Sequence, residues 1–270
     1  YSTVHSFLSK YNLDVIFPDI FRTGYYNCLT ASMLYSLVFD EVGIPYKIMA
    51  SPGHVYLVAN PGTHSTVIET TNPGFEEQIF TGDFKQHYVN YLRSSKLVSD
   101  DEIRNKSVEE IFEEKYNEVS VITFNNLPGV QYYNKSLSAF ENNNIDEAVQ
   151  LSQKAYFFYP NKTTESLLHT TLLYELQKCT FDKVSDIDYL AQFSRFDDVN
   201  INDVANIFRN IESYYLQFND KEEYCNAMHE RLISKLSNQK EREEISFSFY
   251  LLMSHRYFNN PVKEEKYISK

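Results

Sequence analysis

The sequence predicts an α+β domain over residues 1–128, followed by an all-α domain over residues 129–270. In the first half, glycine and proline recur at short intervals, and β-rich runs such as HVYLVAN (54–60) lie between them. After Gly129 the chain contains no further glycine, and apolar residues recur at helical spacing. The segment LPGV (127–130) is therefore the predicted boundary between the two domains.

The composition narrows the classes of function. The chain has 270 residues, of which 25 are basic and 37 acidic, so its net charge is −12. Nucleic-acid-binding proteins usually carry a basic face, and because no basic block occurs here, we expect no nucleic-acid partner. No run of about 18 apolar residues occurs, so no membrane span is predicted, and cytoplasmic and periplasmic locations are both open.

One cysteine stands at the start of a predicted apolar helix. Asn27 is a suitable N-cap, Cys28 follows it, and Gly43 is a suitable residue for ending the helix. The free N–H groups and the dipole of a helix start favour a thiolate over a thiol, and they can stabilise an oxyanion. The alternative is a buried thiol that packs as a small apolar side chain. The predicted buried stripe of this helix consists of Met33, Leu34, Leu37 and Val38.

A three-stranded meander is predicted after this helix, with strands at 46–50, 54–60 and 65–71. The residues at 60–63 suit a type II turn, and strand pairing across it then sums to 123. In that register, His54 lies opposite Glu69 with their Cβ atoms about 5 Å apart. A three-residue loop would instead put Glu69 on the other face of the sheet.

These residues predict a catalytic triad. Cys28 would be the nucleophile, His54 would hold its proton, and Glu69 would orient the imidazole. Tyr26 and Asn27, which precede the cysteine, are predicted to contact substrate, or else to pack and to cap the helix.

Other candidate residues have weaker support. His87 is the rival base, and His64 is predicted to lie in an exposed turn. Asn72 is a possible third member of the triad, but its place before Pro73 favours a turn. Cys179 and Cys225 lie on helical patterns and are predicted to belong to the core.

The second half contains a recognisable helical pair at 132–161, YYNKSLSAFENNNIDEAVQLSQKAYFFYPN. Tyr132, Ala148, Ala155 and Pro160 resemble the aromatic, small and helix-stopping positions of the tetratricopeptide repeat, whereas Ser136 and Ser152 depart from that pattern. Further helices are predicted at about 164–178, 183–195, 201–218, 221–237 and 240–258. A single repeat cannot stand alone, so these helices should stack on it, and a plain helical bundle is the alternative.

The stretches YNCLTASMLYSLVFDEVGIPY (26–46), PGHVYLV (52–58) and VIETTNPG (67–74) resemble the transglutaminase-like superfamily, whose members have papain-like folds. The resemblance implies a cysteine enzyme of acyl transfer or amide hydrolysis that needs no metal or organic cofactor. Leu29 stands where many members carry an aromatic residue, and Glu69 stands where the acid is usually Asp. With the helical pair behind it, the chain looks like bacterial proteins that join such a domain to tetratricopeptide repeats.

Three functions follow as hypotheses. The first is a transglutaminase-like cysteine hydrolase or acyltransferase that acts on a peptide or protein, with hydrolysis favoured over transamidation. The second is a catalytically degenerate scaffold whose helical part binds a peptide or protein partner. The third is a regulatory domain of a longer polypeptide, since the chain begins at Tyr1 rather than at methionine.

Overall fold

The structure is a computed structural model that describes residues 2–51, 54–62, 64–71, 85–86, 89, 92–93, 98–116, 119–197, 199–219 and 221–269. It is a mixed α+β structure, mostly helical, with two small sheets. The chain forms two compact units, one of residues 1–135 with 154–160 and one of residues 136–153 with 161–270. The first unit thus takes in residues from both sides of residue 128, and the domain boundary predicted there stays a prediction.

The first unit contains both sheets. Its elements are α1 (Ser2–His5), β1 (Lys10–Tyr11), α2 (Asp19–Thr23), β2 (Tyr25–Tyr26), α3 (Cys28–Val42), β3 (Tyr46–Ser51), β4 (His54–Ala59), β5 (Thr66–Ile68), α4 (Asp100–Asn105), α5 (Val108–Tyr116) and β6 (Ser120–Ile122). Strands β1 and β2 pair in parallel, and the larger sheet is antiparallel in the order β5-β4-β3-β6. The predicted meander β3-β4-β5 is confirmed. Strand β6 was not predicted, because three residues are too few to show an alternating pattern.

The hairpin between β4 and β5 has a different register from the predicted one. Val58 pairs with Val67 and Ala59 with Thr66, so paired numbers sum to 125, and the predicted sum of 123 is wrong. Asn60 has a positive φ of 50°, and its N–H donates to the carbonyl of Pro45 at 2.8 Å. Asn60 is therefore hydrogen-bonded to the residue before β3, and the loop from β4 to β5 starts at Asn60. Because the register differs by two residues, every side chain of β5 keeps its predicted face.

Helix α3 begins and ends where the sequence predicts. Asn27 and Thr30 form a reciprocal capping box at its start, and Gly43 ends it with a φ of 71°. The predicted apolar stripe is wrong in part, because Leu37 is 41% exposed. Small side chains on the opposite face of α3 allow that face to be buried as well. The hydroxyl of Ser32 donates to the carbonyl of Val55 at 3.2 Å, which ties the helix to β4.

Two helices contribute residues to both units, α6 (Leu127–Glu141) and α7 (Ile145–Phe158). The segment LPGV at 127–130 is thus the first turn of α6 rather than a linker. A proline is tolerated there because the first turn lacks acceptors for its N–H groups. A Cβ atom on Gly129 would lie 2.5 Å from the Cβ of Tyr159, so this close approach requires glycine.

The second unit is helical, and its described residues contain no strand. Besides parts of α6 and α7, its helices are α8 (Lys162–Lys178), α9 (Ile187–Phe193), α10 (Ile201–Asn219), α11 (Glu222–Lys235), α12 (Gln239–Arg256) and α13 (Pro261–Ile268). The five predicted helices after residue 160 correspond to α8–α12, and α13 was not predicted. Ser136 donates to the carbonyl of Ala148 at 2.7 Å and joins α6 to α7.

A carboxyl group lies inside the second unit without a full set of partners. Glu212 on α10 is 2% exposed, and its Oε1 has no hydrogen-bond partner among the described residues. Burial raises the pKa of Glu212 to about 9, and the charge of Arg209 offsets only part of that rise. The folded protein therefore binds a proton that the unfolded chain releases above its ordinary pKa of 4.5. Stability falls as the pH rises from that value towards about 9.

We expect Glu212→Gln to flatten the fall in the free energy of unfolding between about pH 5 and about pH 8, since the amide does not titrate. At about pH 8 the variant should be more stable than the parent by about 1–3 kcal/mol. Urea unfolding followed by far-ultraviolet circular dichroism measures both quantities. Glu230→Gln, on an exposed position of α11, is the control and should keep the parent's slope. An unchanged slope in Glu212→Gln would contradict the account of Glu212.

Candidate active site

Cys28 is the first residue of α3 and is half-buried. Its backbone carbonyl accepts a hydrogen bond from the hydroxyl of Thr70 at 3.3 Å. Because Thr70 comes just after β5, this bond holds the helix start against the edge of the sheet. The N–H of Thr30 is taken by the side chain of Asn27. The N–H groups of Cys28 and Leu29 have no acceptor within the helix, so they can serve an anion at the sulfur.

His54 is the first residue of β4 and is 8% exposed. Its Nε2 lies 2.8 Å from Oε2 of Glu69, and the side chain of Cys28 is near enough to raise the pKa of the same ring. The ring of Tyr56 stacks beside it, with centroids 5.9 Å apart. The structure therefore brings together the cysteine, the histidine and the acid that the sequence predicts as a triad.

Glu69 follows β5 directly and is 8% exposed. In the observed register, a continued ladder would place Glu69 opposite Tyr56, so it approaches His54 diagonally. Diagonal neighbours are about 7–8 Å apart, a distance that only a longer side chain bridges. The other carboxylate oxygen accepts hydrogen bonds from Thr71, at 3.1 Å from the backbone N–H and 2.7 Å from the hydroxyl. Both oxygens of the acid are thus engaged.

The opposite charges of His54 and Glu69 stabilise each other. Burial lowers the pKa of His54, but its hydrogen bonds to Cys28 and Glu69 and their negative charges outweigh burial and raise that pKa to about 10. Burial raises the pKa of Glu69, but the bonds to His54 and Thr71 outweigh it and lower that pKa to about 2. A charged imidazolium beside a carboxylate is therefore the favoured state around neutral pH. Its stabilising effect is fully present between about pH 4.5 and about pH 6.5; it decays above that range towards about 10 and below it towards about 2.

The two residues before the cysteine have structural roles. Tyr26 is buried between His5 and Tyr11, with T-shaped ring contacts at 6.1 Å and 5.9 Å. The amide of Asn27 caps α3 with its oxygen. The amide nitrogen of Asn27 donates to the carbonyls of Leu13 and Val15 at 3.1 Å and 3.3 Å. The predicted contacts of Tyr26 and Asn27 with substrate stay predictions.

The negative charges of Cys28 and Glu69 also act on Tyr11, a residue that the sequence did not indicate. It pairs with Tyr26 in the parallel β1–β2 ladder. Partial burial raises the pKa of Tyr11, and the negative charges of Cys28 and Glu69 raise it further. A two-residue strand leaves no periodic pattern, and a parallel pairing between β1 and β2 has no local sequence signal.

The structure describes three of the five other candidate residues. His64 is exposed in a turn, as predicted. Burial raises the pKa of Cys179, and Cys225 is buried, with its pKa raised by burial to about 12. His87 and Asn72 lie outside the described residues.

Neither a metal centre nor a membrane span emerges from the described ranges. No three His, Cys, Asp or Glu side chains there are grouped so that they could hold a metal ion. None of the helices there is long and apolar enough to cross a membrane.

Compared with protein-family models, with curated proteins and with solved structures, the chain shows no match. The geometry of the site is therefore the basis for a proposal about function.

We expect Glu69→Gln to lower the pKa of His54 by about two units, because the variant removes the carboxylate charge beside the ring. Glu69→Asp should lower the pKa of His54 too, since the shorter acid does not span the diagonal. Histidine ring signals followed by NMR across pH measure the pKa, with His54→Asn identifying the signal. Glu109→Gln, on an exposed position of α5, is the control for a change of net charge. An unaltered pKa in both Glu69 variants would contradict the coupling.

Proposed function

We propose that this protein is a cysteine-dependent enzyme of acyl transfer or amide hydrolysis, in which Cys28, His54 and Glu69 form the catalytic triad. The observation that supports it most is the buried imidazole of His54, which is hydrogen-bonded to Glu69 and interacts with Cys28. A cysteine at a helix start with an imidazole as partner is an activated nucleophile.

The proposed reaction begins with the thiolate of Cys28 paired to the imidazolium of His54. The sulfur forms a bond to the carbonyl carbon, and the carbonyl electron pair moves to oxygen. When this pair returns, the bond to the amine breaks, and the imidazolium gives its proton to the leaving nitrogen. The neutral imidazole then accepts a proton from water, whose oxygen attacks the thioester and releases the acid. The thiolate leaves beside a restored imidazolium.

Glu69 supports this sequence by staying ionised throughout. Its carboxylate fixes the orientation of the imidazole and stabilises the positive ring that the first step requires. The hydrogen bonds from Thr71 to the other oxygen hold the carboxylate in place. An amine in place of water would complete transamidation, and the favoured outcome is hydrolysis.

We propose the finer classification on the same basis. The order of a cysteine at a helix start, a histidine on β4 and an acid after β5 supports a transglutaminase-like fold for the first unit. The helix–turn–helix of α6 and α7, with a left-handed Asn143 in its turn, supports tetratricopeptide-like repeats in the second. Such a helical surface would bind a peptide or protein partner.

At about pH 6.5, we expect iodoacetamide to modify Cys28 at least about tenfold faster than Cys179 and Cys225. Cys28 stands at a helix start beside the imidazolium of His54, a setting that makes a cysteine reactive, whereas burial raises the pKa of each of the other two thiols. Mass mapping of the modified peptides measures the three rates.

Two controls accompany the alkylation measurement. In urea the three rates should converge, because the contrast comes from the fold. His54→Asn should bring the rate of Cys28 down towards the rates of the others. Equal rates in the native protein would sink the proposal.

We further expect wild-type protein to release about one equivalent of p-nitrophenolate in a burst from p-nitrophenyl acetate, as Cys28 becomes acylated. Cys28→Ser should lose the burst and keep its circular dichroism spectrum, since serine is similar in size. Cys179→Ser is the matched control and should retain the burst. A burst that persists in Cys28→Ser would show that another group reacts.

A further inference from the structure

A tyrosine outside the triad lies beside it. Tyr11 is in β1, whose parallel pairing sets Lys10 beside Tyr25 and Tyr11 beside Tyr26. Since β2 ends one residue before the cap of α3, Tyr11 is held next to the chain that leads directly into Cys28. The residue is 44% exposed, so it lies at the surface of the site.

The position of Tyr11 is set by the residues that follow it. The N–H of Asn12 donates to the carbonyl of Tyr26 at 2.8 Å. The amide of Asn27 donates to the carbonyls of Leu13 and Val15 while it caps the nucleophile's helix. One side chain thus joins the segment after Tyr11 to the helix start of Cys28, which fixes the two residues relative to each other.

The hydroxyl of Tyr11 is a hydrogen-bond donor to which the described part of the chain offers no acceptor. Among the described residues it makes no hydrogen bond, and its ring is held by the T-shaped contact with Tyr26. The negative charges of Cys28 and Glu69 both act on it and raise its pKa, so the phenol stays protonated at any working pH. A protonated donor is therefore held within the electrostatic influence of Cys28 and Glu69.

We propose that the Tyr11 hydroxyl donates a hydrogen bond to the carbonyl oxygen of the acyl group that Cys28 attacks. The inference rests on the proposed acyl transfer and adds a further catalytic residue to it. When the sulfur of Cys28 forms its bond to the carbonyl carbon, the negative charge moves from the sulfur to the carbonyl oxygen. A fixed donor at the surface of the site stabilises that oxyanion without giving up its proton.

Two reagents separate this role from an effect on the thiolate. Iodoacetamide reacts by displacement of iodide and forms no oxyanion at a carbonyl. p-Nitrophenyl acetate reacts through a tetrahedral oxyanion, and p-nitrophenolate then leaves with the electron pair of its bond. Both reactions need the thiolate of Cys28, and only the second needs an oxyanion donor.

The test is Tyr11→Phe in the full chain, which keeps the ring contact with Tyr26 and removes only the hydroxyl. We expect acylation by p-nitrophenyl acetate to slow by about 10- to 100-fold, as for loss of one oxyanion donor. Alkylation by iodoacetamide should change by less than about twofold. Tyr25→Phe, which loses a hydroxyl from the neighbouring strand, should leave both rates unchanged.

Each other outcome overturns the inference in a recognisable way. If Tyr11→Phe slows neither reaction, the hydroxyl has no catalytic role. If it slows both equally, Tyr11 acts on the thiolate or on folding, and the selectivity of alkylation for Cys28 over Cys179 and Cys225 tells these apart. If the wild-type protein itself is not acylated at Cys28, the proposed function fails together with the inference.

Discussion

The hydrogen bond between His54 and Glu69 is the interaction on which the rest of the site depends. Both groups are nearly inaccessible to water, and a buried charge is tolerated only when it is paired and hydrogen-bonded. Removal of one partner from such a pair typically costs about 3–5 kcal/mol, because the other charge is left uncompensated. Several local features therefore serve this pair: the bonds from Thr71 to the acid, the tie from Ser32 to β4, and the anchor from Thr70 to the helix start.

The register of one hairpin explains the identity of the acid. In the observed pairing, the carboxylate has to cross from beside Tyr56 to His54, and glutamate supplies the extra methylene for that diagonal. A glutamate at this position is thus matched by the geometry of the hairpin. The loop residue Asn60 sets this geometry, since its bond to Pro45 and its left-handed backbone determine where β5 begins.

Local signals in the sequence predicted the elements well. Caps at Asn27 and Gly43 predicted the bounds of α3, and β-rich runs between glycine and proline turns predicted β3 and β4. The triad residues could be named because the predicted and the observed registers of the hairpin differ by two residues. Both registers leave Glu69 on the same face of the sheet as His54. The register itself was mispredicted, because it depends on the contact of Asn60 with Pro45, which is remote in sequence. Tyr11 and β6 were missed for the same reason, since short strands are defined by their partners.

The two units are interleaved along the chain. Residues 154–160 come after the first part of the helical unit, yet they belong to the unit that carries Cys28. There the ring of Phe158 stacks on Tyr132, and the hydroxyl of Tyr159 meets that of Ser120 at 3.3 Å. No single point in the gene therefore separates the coding sequence of one unit from that of the other. A recombination event that exchanged everything after residue 128 would also replace part of the unit that carries Cys28, so the two units are expected to be inherited together.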